Sequence, residues 1–159
     1  GIDTDYTTTN QLVIGRRRDL TSNTDIGTTF LDCVVVSDSY IGPEKTIIDK
    51  GPDAYSLEMS EGGFVFGYIN NTEISASVST PDAWHHYALT YDGFNQKLYI
   101  DGILAKSVPK TGAINTNATN LKIGEYFSGV IDDVRIYNYA RSLAQILQDY
   151  NAGFSTYFK

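Results

Sequence analysis

The chain has 159 residues, and its 12 Lys and Arg against 19 Asp and Glu give a net charge of −7. Neutralising a phosphate backbone takes clustered basic side chains, so this balance excludes nucleic acid as an expected partner. The length suffices to bury about 70% of the unfolded surface, so residues 1–159 are expected to fold as one domain without needing a disulfide or a metal. The lone cysteine, Cys33, lies in the apolar run FLDCVVV and reads as a small buried hydrophobe rather than a reactive thiol.

No stretch is long and apolar enough for a bilayer span, and Gly1-Ile2-Asp3 has neither the basic nor the apolar region of a signal peptide, so a mature or excised domain is expected. Residues 1–29 are rich in Thr, Asn and Asp and hold one short candidate strand, Leu12-Val13-Ile14. The run Arg16-Arg17-Arg18 cannot place all three side chains on one strand face, so it reads as a solvated edge. From Phe30 the β-branched run to Val36 predicts a strand buried on both faces. Thr46 to Asp49 follows, stopped by the turn Lys50-Gly51-Pro52-Asp53, and Tyr55 to Met59 and Gly63 to Ile69 form a hairpin around Ser60-Glu61-Gly62. Glu73 to Val78 comes after Asn70-Asn71.

The plainest stretch is WHHYALTYDGFNQKLYIDG, residues 84–102. Alternation puts Trp84, His86, Ala88 and Thr90 on one face and His85, Tyr87, Leu89 and Tyr91 on the other. Asp92-Gly93 opens a tight connection, Gln96 to Asp101 returns, and Asp101-Gly102 turns the chain again. Ala105 to Val108 and Leu121 to Ile123 are short strands around the polar loop 111–120. GVIDDVRIYNYA then reads as a closing strand and SLAQILQDYNAG as a helix over 142–151, with a Ser142/Gln145 capping box, an apolar stripe of Leu143, Ile146, Leu147 and Tyr150, and Gly153 as terminator. Strands every eight to twelve residues, separated by turn signals, predict an all-β, two-sheet antiparallel sandwich with one short C-terminal surface helix. Trp84, Leu89, Leu98, Ile100, Val134 and Ile136 are its expected core residues.

The motifs WHHYALTYDG, KLYIDG, LKIG and IDDVRIYN leading into ARSLAQI, with the upstream hairpin TIIDKGPDAYSLEMSEGGFVFGYIN, resemble the laminin-G-like, pentraxin-related branch of the concanavalin A-like lectin and glucanase superfamily. The likeness spans roughly residues 28–153. It implies a jelly roll, secreted or displayed at the cell surface, that binds rather than cleaves. Such domains begin with a further strand ahead of the segment matching Leu12 to Ile14. That strand is missing here, and its place is expected to be filled by the tail Phe154 to Phe158 or by a protein partner completing the sheet edge.

Asp132 alternates with Val134 and Ile136, which would carry a carboxylate toward the apolar layer, where an unpaired charge is costly. Its partner is a hard cation such as calcium, Arg135 or Arg141, or backbone N–H groups. The resembled family binds a structural calcium at this motif with oxygens from the early chain, which implies a site made by Asp132 with Asp19 or Asp25. His85 and His86 face opposite ways and cannot chelate one ion together, so they read as framework. A retaining glycosidase needs two carboxyls about 5 Å apart, and the glucanase branch carries them on a Glu-x-Asp-x-Glu strand that this chain lacks, so no enzyme is expected. Recognition is left to the loops, where aromatic rings beside amides suit sugars. Tyr126 and Phe127, bracketed by Gly124 and Gly129, with Tyr68, Asn70 and Asn71, are the expected glycan contacts. The sequence thus points to an extracellular carbohydrate-binding or adhesive module, with a protein-interaction or structural module of a filament, fibre or multidomain enzyme as the alternative.

Overall fold

The computed structural model describes residues 30–37 and 45–157, apart from positions 52, 61, 82 and 128. The expected strand at Leu12 to Ile14, the Arg16 to Arg18 run, Asp19 and Asp25 lie outside the described residues. The strands are β1 (Phe30–Ser37), β2 (Lys45–Asp49), β3 (Tyr55–Ser60), β4 (Phe64–Ile69), β5 (Thr72–Ser77), β6 (Trp84–Tyr91), β7 (Asn95–Ile100), β8 (Ile103–Pro109), β9 (Lys122–Ile123) and β10 (Gly129–Tyr137), followed by one helix, α1 (Leu143–Tyr157). They form two antiparallel five-stranded sheets, β10-β1-β6-β7-β8 and β5-β4-β3-β2-β9. We call these the first and second sheets.

The turns follow from local chemistry. Asn70-Asn71 and Asp101-Gly102 have positive φ at both positions, as a two-residue hairpin turn requires. At the β6–β7 turn one carboxylate oxygen of Asp92 accepts the N–H groups of Phe94 at 2.9 Å and Asn95 at 2.6 Å, and Gly93 supplies the left-handed residue.

Alternation then decides the core. Tyr87, Leu89, Tyr91 and Leu98 of the first sheet meet Leu57, Met59, Val65, Ile69 and Ile74 of the second in one buried cluster. The sheets approach closely at Gly67, where a Cβ would stand 2.6 Å from Leu89 Cδ1. Only glycine leaves that space. Leu89 and Leu98 are buried as expected, and Ile100 and Val134 pack against the cluster. Trp84 is only half-buried, and Ile136 is 38% exposed because β10 is an edge strand.

The other face of β6 is also buried. Ala88 and Tyr99 form a second cluster with Ile146 of α1, and the His86 and Tyr150 rings lie 6.0 Å apart, so the helix covers the outer face of the first sheet. The capping box forms: Gln145 N–H donates to Ser142 Oγ at 3.3 Å, and Ser142 N–H donates to Gln145 Oε1 at 2.9 Å. Two helix expectations fail. Leu143 and Leu147 are 54% and 44% exposed, because the buried side is Ile146, Asp149 and Tyr150, pinned by Arg141 and Arg135 on Asp149. Gly153 does not stop the helix, which runs on to Tyr157. A glycine in a helix interior costs only about 1 kcal/mol against alanine, and Gly153 keeps a right-handed backbone. Residues 154–157 are therefore helical and supply no edge strand.

Candidate functional site

The second sheet has no described element on its outer face, and the sequence FVFGYI explains what stands there. Val65, Gly67 and Ile69 point into the core, so Phe64, Phe66 and Tyr68 point out along β4. Register places a polar residue on each side of every ring. Phe64 lies between Ser60 and Ser77, Phe66 between Glu58 and Ser75, and Tyr68 between Ser56 and Glu73. The face is thus a ladder of three rungs, each polar, aromatic, polar. Phe64 is 45% exposed, Phe66 and Tyr68 are half-buried, and the Phe64 and Phe66 rings are tilted at a centroid distance of 6.4 Å. The Tyr68 hydroxyl donates to Glu73 Oε2 at 3.3 Å, which holds the phenol over the exposed glutamate.

At the Tyr68 end the ladder meets a rim of amides. The loop 110–120 has no secondary structure but is fastened at several points. The Tyr91 hydroxyl donates to Gly112 O at 2.5 Å, Asn70 Nδ2 to Ala113 O at 2.8 Å, the Asn115 N–H to Asn70 Oδ1 at 2.8 Å, and Asn117 Nδ2 to Asp53 Oδ1 at 2.7 Å, while Ile114 plugs into the core. Asn70 spends both ends of its amide on the loop and is a fastener. Asn71, exposed in the same turn, faces the solvent side of the rim.

The five expected glycan contacts are not brought together. Tyr68, Asn70 and Asn71 share one end. Thr46 N–H donates to Glu125 O and Gly124 N–H to Ile47 O, so the turn holding Tyr126 lies beside the start of β2, at the other end of β3. That separation is the length of β3, about 17 Å at 3.3 Å per residue. Tyr126 is 76% exposed, but Phe127, expected beside it in an exposed turn, is 8% exposed and belongs to the core. Phe64 and Phe66 were missed by the sequence reading, although the signal was available: a strand whose two faces are both apolar, next to a hairpin whose register its turns fix.

The register also corrects the placement of Asp132. Asp132 pairs with Val34 and Arg135 with Asp32, so residues 133 and 134 oppose residue 33 alone, and Asp133 takes φ 52°. This bulge shifts the alternation by one. Val34 pairs with His86, so Asp132 lies on the helix side of the sheet, whereas Ile136 pairs through Leu31 with Leu89 and points to the core side. Asp132 Oδ1 accepts the Asp133 N–H at 2.8 Å. Asp133 pairs with Arg135 at 2.5 Å, and Arg135 and Arg141 converge on Asp149, 10% exposed, locking α1 to β10. Among the described residues no group of three or more His, Cys, Asp and Glu could hold a metal, so a calcium at Asp132 needs ligands from outside that set.

His85 ties two connections together. Its Nδ1 lies 2.8 Å from Asp101 Oδ2, its Nε2 lies 2.7 Å from Thr80 O and 3.2 Å from Thr80 Oγ1, and Asp101 Oδ1 accepts the His86 N–H at 2.9 Å. The Asp101 hydrogen bond raises the His85 pKa above its usual value, opposed by burial and helped by the Thr80 carbonyl. Burial pushes the Asp101 carboxyl up, but His85 and the His86 amide outweigh it and hold it below the usual range. Thr80, His85 and Asp101 share the connectivity of a nucleophile, base and acid. The carbonyl facing Nε2 calls for a donor there, however, so the protonated ring has no lone pair to take the hydroxyl proton. Glu58 and Glu73 stand two strands apart and one rung offset, about 12 Å at the backbone, with the aromatic row between them.

Residues 35–147 match the family described as the concanavalin A-like lectin/glucanases superfamily. No curated protein matches the chain in sequence. Among solved structures it is similar to a Bacteroides ovatus protein assigned carbohydrate binding, with a TM-score of 0.68 and 18% identity over 79% of this chain and 41% of that one. It is also similar to botulinum neurotoxin type C, whose cell entry depends on two ganglioside molecules (TM-score 0.64, 17% identity, 79% of this chain and 36% of that one), and to the receptor binding domain of botulinum neurotoxin type G (TM-score 0.64, 17% identity, 80% and 38%). The chain spans between 36% and 41% of the length of these matched structures, and identities this low carry the fold alone.

Proposed function

This chain belongs to the concanavalin A-like lectin/glucanases superfamily, and from that premise we propose that it is a non-catalytic carbohydrate-binding module that holds a glycan against Phe64, Phe66 and Tyr68 on the outer face of the second sheet. The observation that carries the reading is the ladder itself. Aromatic rings offer flat apolar faces to sugar C–H surfaces, and Glu73, Ser75 and Ser77 on β5 offer acceptors and hydroxyls to sugar hydroxyls, whereas Ser56 beside Tyr68 is buried. Large aromatics on an uncovered sheet face are unfavourable to hydration unless something seats on them. The similarity to a protein assigned carbohydrate binding supports the reading.

A module of this kind acts outside the cell or at its surface, in single copies with weak affinity for a simple sugar, on the order of 0.1–1 mM, because a shallow wet site recovers little beyond the cost of association. Calcium held by Asp132 with Asp19 or Asp25 is a separate proposal. Excess calcium should then raise the melting temperature, chelator should lower it, and Asp132→Ala should remove the difference. Identical melting curves with and without the ion would withdraw it.

The test of the main reading is a glycan array followed by titration of the hits and product analysis. Binding that is lost in Tyr68→Ala but kept in Tyr126→Ala supports the ladder; release of sugar would make the protein an enzyme instead. The protein-interaction alternative draws on a different observation. On the other flank Ile103 and Leu104 of edge strand β8 are 70% and 45% exposed, not far from the exposed Leu143 and Leu147. Silence on a broad multivalent array would favour it.

A further inference from the structure

We infer that the ladder selects an uncharged glycan chain and turns acidic ones away. This rests on the carbohydrate-binding reading above and adds the class of sugar. None of the nine ladder positions, Ser60, Phe64 and Ser77, Glu58, Phe66 and Ser75, Ser56, Tyr68 and Glu73, is Lys or Arg. A sialic or uronic carboxylate, or a sulfate, is held by Arg, Lys or a cradle of backbone N–H groups. Here the backbone N–H groups of β4, between β3 and β5, are spent on sheet pairing. Lys122 on edge strand β9 is already paired with Glu125 at 2.7 Å.

What the ladder offers instead is acceptors and hydroxyls. Glu73 is exposed, takes the Tyr68 hydroxyl on one oxygen, and has lone pairs left for sugar hydroxyls. Ser75 and Ser77 stand on the next two rungs of β5, and a hydroxyl can donate or accept, as a sugar hydroxyl can. An anionic group seated on Tyr68 or Phe66 would lie well within a Debye length of Glu73, about 8 Å at physiological salt. The net charge of −7 repels it over longer range as well.

The row also sets a length. From Phe64 to Tyr68 is four residues of strand, about 13 Å, with a ring at each step of two. Three stacked platforms favour an extended oligosaccharide over a single sugar, because each further ring adds contact without a second association cost.

The test uses the whole chain on an array of neutral and acidic oligosaccharides of equal length, with titration of the best ligand of each class at low and high salt. The expected result is a neutral ligand bound at least about tenfold more tightly than the best acidic one at low salt, a gap that narrows as salt rises. Glu73→Gln, which removes the charge and keeps one acceptor oxygen, should narrow the gap chiefly by tightening the acidic ligand. Phe66→Ala should weaken the neutral ligand by about tenfold or more. If Phe66→Ala does not fold, Phe64→Ala, at a position already 45% exposed, carries that arm. Acidic ligands bound as well as neutral ones, with Phe66→Ala still weakening both, would overturn the selection for uncharged glycans and leave the carbohydrate-binding reading standing. Neutral binding indifferent to both Phe variants would overturn the ladder as the site. No binding of either class, with the chain presented multivalently, would overturn the carbohydrate-binding reading and this inference with it.

Discussion

The outer faces of β6 and β4 are built by the same alternation and meet different fates. On β6 the outward residues include His86, Ala88 and Thr90, all buried, and Ala88 is small enough for Ile146 of α1 to sit on it. On β4 they are Phe64, Phe66 and Tyr68, with serines and glutamates to either side and no described element above them. A helix needs small residues beneath it and something to hold it down. The first sheet supplies both, through Ala88 and the Arg135, Arg141 and Asp149 lock. Bulky rings flanked by carboxylates would hold a helix off and would leave the carboxylates desolvated. The difference teaches that the same alternation gives one face that folding covers and another with no described element over it.

The covered face should break hardest at Asp149. Arg141 is 11% exposed and Asp149 10%, so Asp149→Ala strands the Arg141 guanidinium, which burial penalises and the carboxylate compensates, while Arg135 keeps Asp133. A loss of about 3–5 kcal/mol is expected, read as a lower urea midpoint. Asp149→Ala with an unchanged midpoint would show that the lock contributes nothing to the docking of α1. Next in size is Ser142→Ala, which removes the acceptor for the Gln145 N–H and should cost about 1 kcal/mol by the same measurement. Gln145→Ala should cost less, because only the return bond to the Ser142 N–H goes.

A pH series separates the His85–Asp101 clasp between the β5–β6 and β7–β8 connections from the open face, whose nine ladder positions include no histidine. The folded His85 pKa lies above 6.5, so its contribution is fully present below that pH and is lost as pH rises through the folded value. Melting temperature should fall over that rise in the native chain and stay flatter in His85→Gln. Asp101 works in the opposite direction. Its folded pKa lies below 3.8, so its contribution is present above 3.8 and is lost as pH falls through the folded value. A native chain whose melting temperature tracked that of His85→Gln from acid to alkaline pH would refute the clasp. The smallest effect belongs to exposed side chains: Tyr126→Ala and Phe64→Ser should each change stability by no more than about 0.5 kcal/mol. Phe64→Ser should nevertheless weaken glycan binding where Tyr126→Ala does not.

Much of this was legible in the chain because it is local. Alternation of side chains with a period of two gave β3 to β7 to within a residue or so, Asp101-Gly102 gave its turn, and Ser142 with Gln145 gave the cap. Each depends on residues no more than a few positions apart. Of the candidate site, Tyr68 was legible, while Phe64 and Phe66 were read only as part of the hairpin strand Gly63 to Ile69. The tertiary structure decided what depends on parity and on strand order. One extra residue at Asp133 inverted the face on which Asp132 stands, and no period of two can show where it will be interrupted. Strand order put Tyr126 and Asn70 at opposite ends of β3, although both lie in turns rich in polar residues. The side of α1 that is buried followed the Asp149 ion pairs rather than the leucine stripe, because a carboxylate shared by two arginines fixes a helix's rotation where leucines can sit half-exposed at little cost.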